Sequence, residues 1–237
     1  MKFTNKPVVL AILTMVMLLM SFGCSETLVQ PEDNVNNSGT SKFKARKSFL
    51  HTVDLNSQTS LKVEGINGVV NIESVSGTNQ VTISGEKIVS ADTYQDANSH
   101  LKDIEIEIDE LTDELLVKTL QPESSNGRSY AVDYTIKVPD HLNVIVRSVN
   151  GEITGKITLP LNGTVDMRLQ NGIVALEIPQ NTSSEFSANL VNGIISVHDL
   201  TLQDEVSTIK SVHGTLGDGH GQIFLKTTNG KIDAFGY

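Results

Sequence analysis

Cysteine is nearly absent. Cys24 is the only one, so no disulfide can close within the chain and no thiolate cluster can hold a metal. Tryptophan is missing altogether and aromatics are scarce, so a core has to be built from Leu, Ile and Val, which are plentiful. Basic residues are outnumbered, 18 Lys and Arg against 28 Asp and Glu, giving a formal charge of −10. That balance argues against nucleic acid as a partner, because phosphates call for a basic surface. The motifs of common enzymes are also missing. There is no Gly-x-Ser-x-Gly elbow, no phosphate-binding loop and no His-Glu-x-x-His. Carboxylates are scattered or alternate outward on strands, and no acid pair of the glycosidase kind stands out. The composition therefore reads as non-enzymatic, with no cofactor implied.

One long apolar run is present, Val8–Met20, broken only by Thr14. It follows Lys2 and Lys6 and is too short to span a membrane comfortably. Ser21-Phe-Gly-Cys24 comes directly after it. This resembles a bacterial lipoprotein lipobox, with small Gly23 before the cysteine; it departs from the usual pattern at Ser21 and Phe22. The resemblance implies lipidation of Cys24 and a membrane partner reached through that anchor. Residues 25–41 are polar and without hydrophobic period, as in a disordered tether. Lys42, Lys44, Arg46 and Lys47 form a small basic cluster where order begins.

What the chain does have is a repeat. A step of the form hydrophobic-x-hydrophobic-x-small-x-Asn-Gly ends at Asn150-Gly151, Asn171-Gly172 and Asn192-Gly193. It recurs at His213-Gly214, then at Asn229-Gly230, with an early copy at Asn67-Gly68. The spacing from 150 to 213 is a constant 21 residues, and the last step is 16. Hydrophobic or small residues occupy positions six, four and two before each turn, and an aliphatic residue stands three after it. The inward set thus changes parity at Asn-Gly, which a flat strand cannot do. The parity change demands a bend. A two-residue hairpin supplies one, for which Asn-Gly is the strongest short signal. A solenoid corner supplies another, with stacked asparagines forming an amide ladder that His213 would break. The fixed period favours the solenoid; a β-sandwich built from Asn-Gly hairpins is the alternative.

Elsewhere the chain alternates as strands do over residues 48–90, 104–108, 115–120 and 132–138, with Pro139-Asp140 closing the last. Residues 91–103 switch to helical spacing through Tyr94, Ala97, Leu101 and Ile104, with Asp92 or Ser90 as cap. The predicted organisation is a signal peptide at 1–23, lipidated Cys24 and tether at 24–45, an N-terminal β region with one short helix at 46–140, and a repeat solenoid at 141–237. The last two form one domain, 46–237.

The lipoprotein-type start, the short helix amid strands, Ala131-Val-Asp-Tyr-Thr-Ile-Lys-Val-Pro139 and the serial Asn-Gly steps resemble the bacterial "putative adhesin" group, the head-GIN type of domain of unknown function. The resemblance covers roughly residues 48–237. It implies an all-β, right-handed β-helix-like fold in an envelope protein, and no catalytic residues.

Two clusters are candidates for chemistry. Arg147, Arg168, Lys210 and Lys226 stand three before their turns, outward, with Asn189 between them. In stacked coils they form a basic stripe for an acidic glycan, peptide or envelope protein. Asp199, His213 and His220 form a weaker metal candidate, since Asp199 and His220 are one period apart. The favoured function is a lipid-anchored envelope domain for binding, adhesion or scaffolding, on a periplasmic or surface face. A periplasmic stress or signalling module acting through protein partners is the alternative, and a glycan-active β-helix enzyme a distant third.

Overall fold

The computed structural model describes residues 42–123, 125–158 and 162–237. The signal segment, Cys24 and most of the tether lie outside the described residues. The described residues are all-β, with one short helix. Its strands are β1 (Phe43–Asp54), β2 (Ser60–Glu64), β3 (Asn67–Val75), β4 (Gln80–Ala91), β5 (Glu105–Glu110), β6 (Glu114–Leu120) and β7 (Ser129–Pro139). They continue as β8 (Asn143–Lys156), β9 (Thr164–Ile178), β10 (Ser184–His198), β11 (Gln203–Ser207), β12 (Ser211–Leu216) and β13 (Gly221–Gly236). All belong to one open sheet. The first strand starts slightly before the predicted boundary: β1 begins at Phe43, and Ala45 is already core.

Four strands, β8, β9, β10 and β13, run straight through their Asn-Gly steps. They lie parallel and in register. Asn67 pairs with Asn150, Asn150 with Asn171, Asn171 with Asn229, and Asn229 with Asn192. The asparagine-glycine pairs are corners, not hairpin turns: Ser148 pairs laterally with Leu169 and Ile153 with Val174, each on the next strand. Glycine is required there. Gly151, Gly172, Gly193 and Gly230 have φ of 122°, 134°, 140° and 143°, which L side chains rarely adopt. A Cβ on Gly172 would stand 1.8 Å from the carbonyl oxygen of Gly151, and the same holds up the whole stack.

The corners divide the sheet into two limbs. Before the corner, β8 is flanked by β2, then β6 and β5. After it, β8 is flanked by β3, then β7, β4 and β1. Inward residues of both limbs join one core. Val144, Val146, Val165 and Ile223 come from the first limb, Ile153, Val174 and Ile232 from the second, all with no exposed surface. Each such side chain contributes roughly 1.5–3 kcal/mol by leaving water.

The strand order corrects the expected sequential stack. Beyond β9 comes β13, and only then β10. Asn192 therefore sits on Asn229, not on Asn171. His213-Gly214 is no corner. It lies in β12, which runs antiparallel to β10 with His213 opposite Ser187. Gly214 lacks the positive φ of the others, and Ile209, read as an inward residue, is 86% exposed. The last strand, β13, is interior and paired on both sides.

The helix is shorter than the spacing suggested. α1 spans Tyr94–Ser99, followed by a 3-10 turn at Leu101–Asp103. Its cap is Thr93, whose hydroxyl accepts from the Asp96 N–H at 3.1 Å, in place of Asp92 or Ser90. Arg128 reaches from beyond β6 and grips the Asp96 carboxylate with Nε at 3.0 Å and Nη2 at 2.8 Å.

Candidate binding face

The outward face of the first limb is a grid fixed by register. One column across the strands reads Glu64, Arg147, Arg168, Lys226 and Asn189. The column beside it reads Lys62, Ile145, Asp166, Phe224 and Ser187. Arg147, Arg168 and Lys226 thus do stand side by side. Lys210 does not join them: it lies in the turn from β11 to β12, fully on the rim.

The cations do not stand alone. Asp166, only 8% exposed, is the anion between them. Arg168 donates to both its oxygens, Nε at 2.8 Å and Nη2 at 2.9 Å. Arg147 donates through Nη2 to the same carboxylate and through Nη1 to the Asp166 carbonyl at 2.8 Å. Lys62 and Glu64 pair at 2.7 Å. Repulsion between like charges at rung spacing is thereby relieved. Asp166 was missed in the sequence because its column is otherwise mixed; a lone acid two residues before Arg168 was the available signal. Among the described residues no carboxylate lies within ion-pair distance of Lys226 or Lys210. Phe224 shows 37% of its surface beside Lys226 and Arg168, and Val149 and Val191 continue the apolar part towards the corner. The face is therefore cationic and partly apolar on a protein of formal charge −10.

The corner itself is a continuous amide ladder. Asn150 Nδ2 donates to Asn67 Oδ1, Asn171 to Asn150, Asn229 to Asn171 and Asn192 to Asn229, at 2.8–2.9 Å. This is a structural spine. Its amides are occupied with one another.

The metal candidate is not assembled. His220 lies at the start of β13, next to Ser183, while Asp199 follows the far end of β10. His213 sits in mid-limb on β12. The described residues hold no group of three or more His, Cys, Asp or Glu placed to bind an ion. His220 has another role. Its Nδ1 meets the Ser183 hydroxyl at 3.1 Å, and that hydroxyl also accepts the N–H groups of Asp218 and His220. The serine is tied into a turn clamp. Histidine His198 stacks on Phe235 at 5.0 Å between ring centres.

Four titratable groups among the described residues are displaced: Asp96 downward, and Arg128, Tyr130 and Tyr134 upward. The guanidinium of Arg128 holds the Asp96 carboxyl below its ordinary range. Burial pushes the Tyr134 phenol up to about 12, against the bond it shares with the Thr119 hydroxyl at 2.7 Å. Tyr134 is core and Asp96 anchors the helix, so neither belongs to the cationic face.

No family model matches the chain, and no curated protein does either. Among solved structures, a "putative cell adhesion protein" from Clostridium sporogenes aligns over 81% of this chain and all of its own, with a TM-score of 0.51 at 13% identity. This chain shares that fold. A "putative adhesin" from Bacteroides fragilis covers 79% of this chain and 96% of its own, at 12% identity and a TM-score of 0.22. A "putative adhesin" from Parabacteroides merdae covers 79% of this chain and 95% of its own, at 8% identity and a TM-score of 0.19. At these identities the first likeness speaks for architecture, and the other two carry no argument. No helix among the described residues is long and apolar enough to cross a membrane.

Proposed function

We propose that the protein is a non-enzymatic, adhesin-like binding domain of the cell envelope, lipid-anchored at Cys24, that engages an acidic ligand through the first limb's outward face. The observation that carries this is the cluster Arg168, Lys226 and Phe224. Cations beside an exposed ring are placed together by strand register on an otherwise acidic molecule. Such a patch attracts anions at long range and holds them by contact at short range. The fold shared with the "putative cell adhesion protein" supports the same reading. So does the lipobox-like Ser21–Cys24.

The test is direct. Full chain is titrated with an acidic and a neutral polysaccharide, wild type against Arg168→Glu with Lys226→Glu. Acidic polymer should bind and the charge-reversed variant should lose roughly tenfold or more of the affinity, with a steep salt dependence in the wild type. Equal binding by both proteins refutes the face. Separately, Cys24→Ser should release the protein from the membrane fraction. Retention there refutes the anchor without touching the face.

A further inference from the structure

The sheet ends in several edges, and their chemistry differs. β1 closes one end with Lys44, Arg46 and Lys47 in its sequence. β5 closes another with Glu105, Glu107, Asp109 and Glu110. β11 closes a third with Asp204 and Glu205. Charges on an edge strand are how folded proteins keep other strands away. The fourth edge has none. β12 covers β10 only from Ser184 to Asn189. Past the corner, β10 pairs with β13 on one side, and no strand of the described residues pairs on the other. The uncovered run is Val191-Asn-Gly-Ile-Ile-Ser-Val197, without charge or proline. Ile194 is 64% exposed, and Val191 and Ile209 are exposed nearby. The amide ladder also stops here: Asn192 donates to Asn229, and no donor to its own Oδ1 is found among the described residues.

We propose that this edge pairs with the same edge of a second copy, antiparallel, about a two-fold axis at Ile195. This surface meets the cationic face at Val191 and otherwise lies past the corner from it. The choice of a second copy follows from the edge itself. An uncharged strand is matched by another uncharged strand, and the one this protein supplies is its own. With Ile195 on the axis, Ile194 faces Ser196 of the other copy. Asn192 faces His198, so a ring N–H stands at the level where the ladder lacks its next donor. Each contact occurs twice, as a two-fold interface requires. The uncovered run extends the sheet across the axis by strand addition.

Full chain carrying Ile194→Cys and Ser196→Cys is oxidised in envelopes of producing cells, with the parent chain, whose one cysteine is Cys24, as control. A disulfide-linked dimer of this chain, absent from the parent, is the expected result. Ile194→Lys, introduced alone into the otherwise unchanged full chain, should leave the circular dichroism spectrum and urea midpoint unchanged and lower the dimer seen by sedimentation in detergent roughly tenfold or more, because the two added charges stand diagonally across the axis on one face. A parent chain that stays monomeric at its highest soluble concentration overturns the proposal. So does cross-linking only to a different protein, or dimerisation indifferent to Ile194→Lys.

Discussion

Gly172→Ala is the sharpest test of the corner stack. Gly172 has φ of 134°, and a Cβ there would lie 1.8 Å from the Gly151 carbonyl oxygen and 2.9 Å from its carbon. Two effects add. The backbone conformation alone costs about 1–3 kcal/mol for an L residue. The clash is with backbone of a neighbouring interior strand, so relief requires β8 and β9 to part and their ladder bonds to lengthen. Together these give a loss of about 4 kcal/mol or more, in the range reserved for a few mechanisms. Gly77→Ala is the control. Gly77 has φ of 75°, with nothing within 4 Å of its Cβ position. It should cost only about 1–2 kcal/mol, the left-handed strain without the clash. Asn171→Ala separates the amide from the glycine. It removes the bonds to Asn150 and Asn229, both partly exposed, for about 1–2 kcal/mol in total. Urea unfolding gives the ranking, read from midpoints at constant slope. The melting temperature of the glycine variant should fall by roughly 8–16 °C for a domain of this size. If Gly172→Ala costs no more than Gly77→Ala, the glycines are not a packed stack and the corner argument fails.

Other outcomes follow from the same geometry. Tyr134 has its folded pKa raised to about 12 from 10.0. Its stabilising effect is complete below pH about 10 and should be lost as pH climbs from 10 towards 12; the alkaline fall in stability should vanish in Tyr134→Phe. The Asp96 carboxyl is shifted the other way, so the stability it lends through Arg128 is present above its unfolded value and lost as pH falls through the folded one, an acid limb that Asp96→Asn should remove. Asp166→Ala frees Arg147 and Arg168, should cost about 1–2 kcal/mol by urea unfolding since both arginines are partly solvated, and should tighten binding of acidic polymer by added positive charge. Truncation after His220 removes β13 and leaves β9 and β10 with open facing edges, so the shortened chain should either fail to fold or rebuild with Asn192 on Asn171, detectable as a disulfide between cysteines placed at 171 and 192.

Register was legible in the sequence because it is local chemistry. Asn-Gly fixes the corner, and the parity of aliphatic residues around it fixes the faces. Val144, Met167, Leu225 and Ile232 were all placed inward by those columns, and all are buried. His213-Gly214 misled because its columns hold Ser207, Ile209 and Ser211, and only Leu216 after it is core. The period matched while the pattern was already weak. The stripe was legible as a column, yet the anion that organises it was not, since Asp166 acts across a strand boundary on Arg147, nineteen residues away. Strand order was legible only for the first step, where the period put β8 beside β9 and the structure does too. Any segment carrying the same columns fits beside any other, so the repeat leaves order to connections.

Those connections explain why β13 can enter between β9 and β10. The five residues from 179 to 183 return the chain from the end of one limb to the start of the other. Extended, they span up to about 17 Å. Stepping sideways by two strands takes about 9.6 Å of that reach. Skipping a place is therefore within reach and leaves a slot one strand wide. β12 then runs back along the open side of β10, and the turn at Gly217–His220 must carry the chain around the beginning of β10 to the slot. Ser183 is the post it turns on. Its hydroxyl accepts from Asp218 and His220, and its carbonyl accepts from the Gly221 N–H at 3.0 Å. Gly217 and Gly219, with φ of 55° and 72°, allow the tight reversal. Once β13 enters, it satisfies both exposed edges at once, from Ser184 on one side and Thr164 on the other. Counted between true corners, the step into β13 is the 37 residues from Asn192 to Asn229, long enough to hold β11 and β12 before the chain returns to the gap.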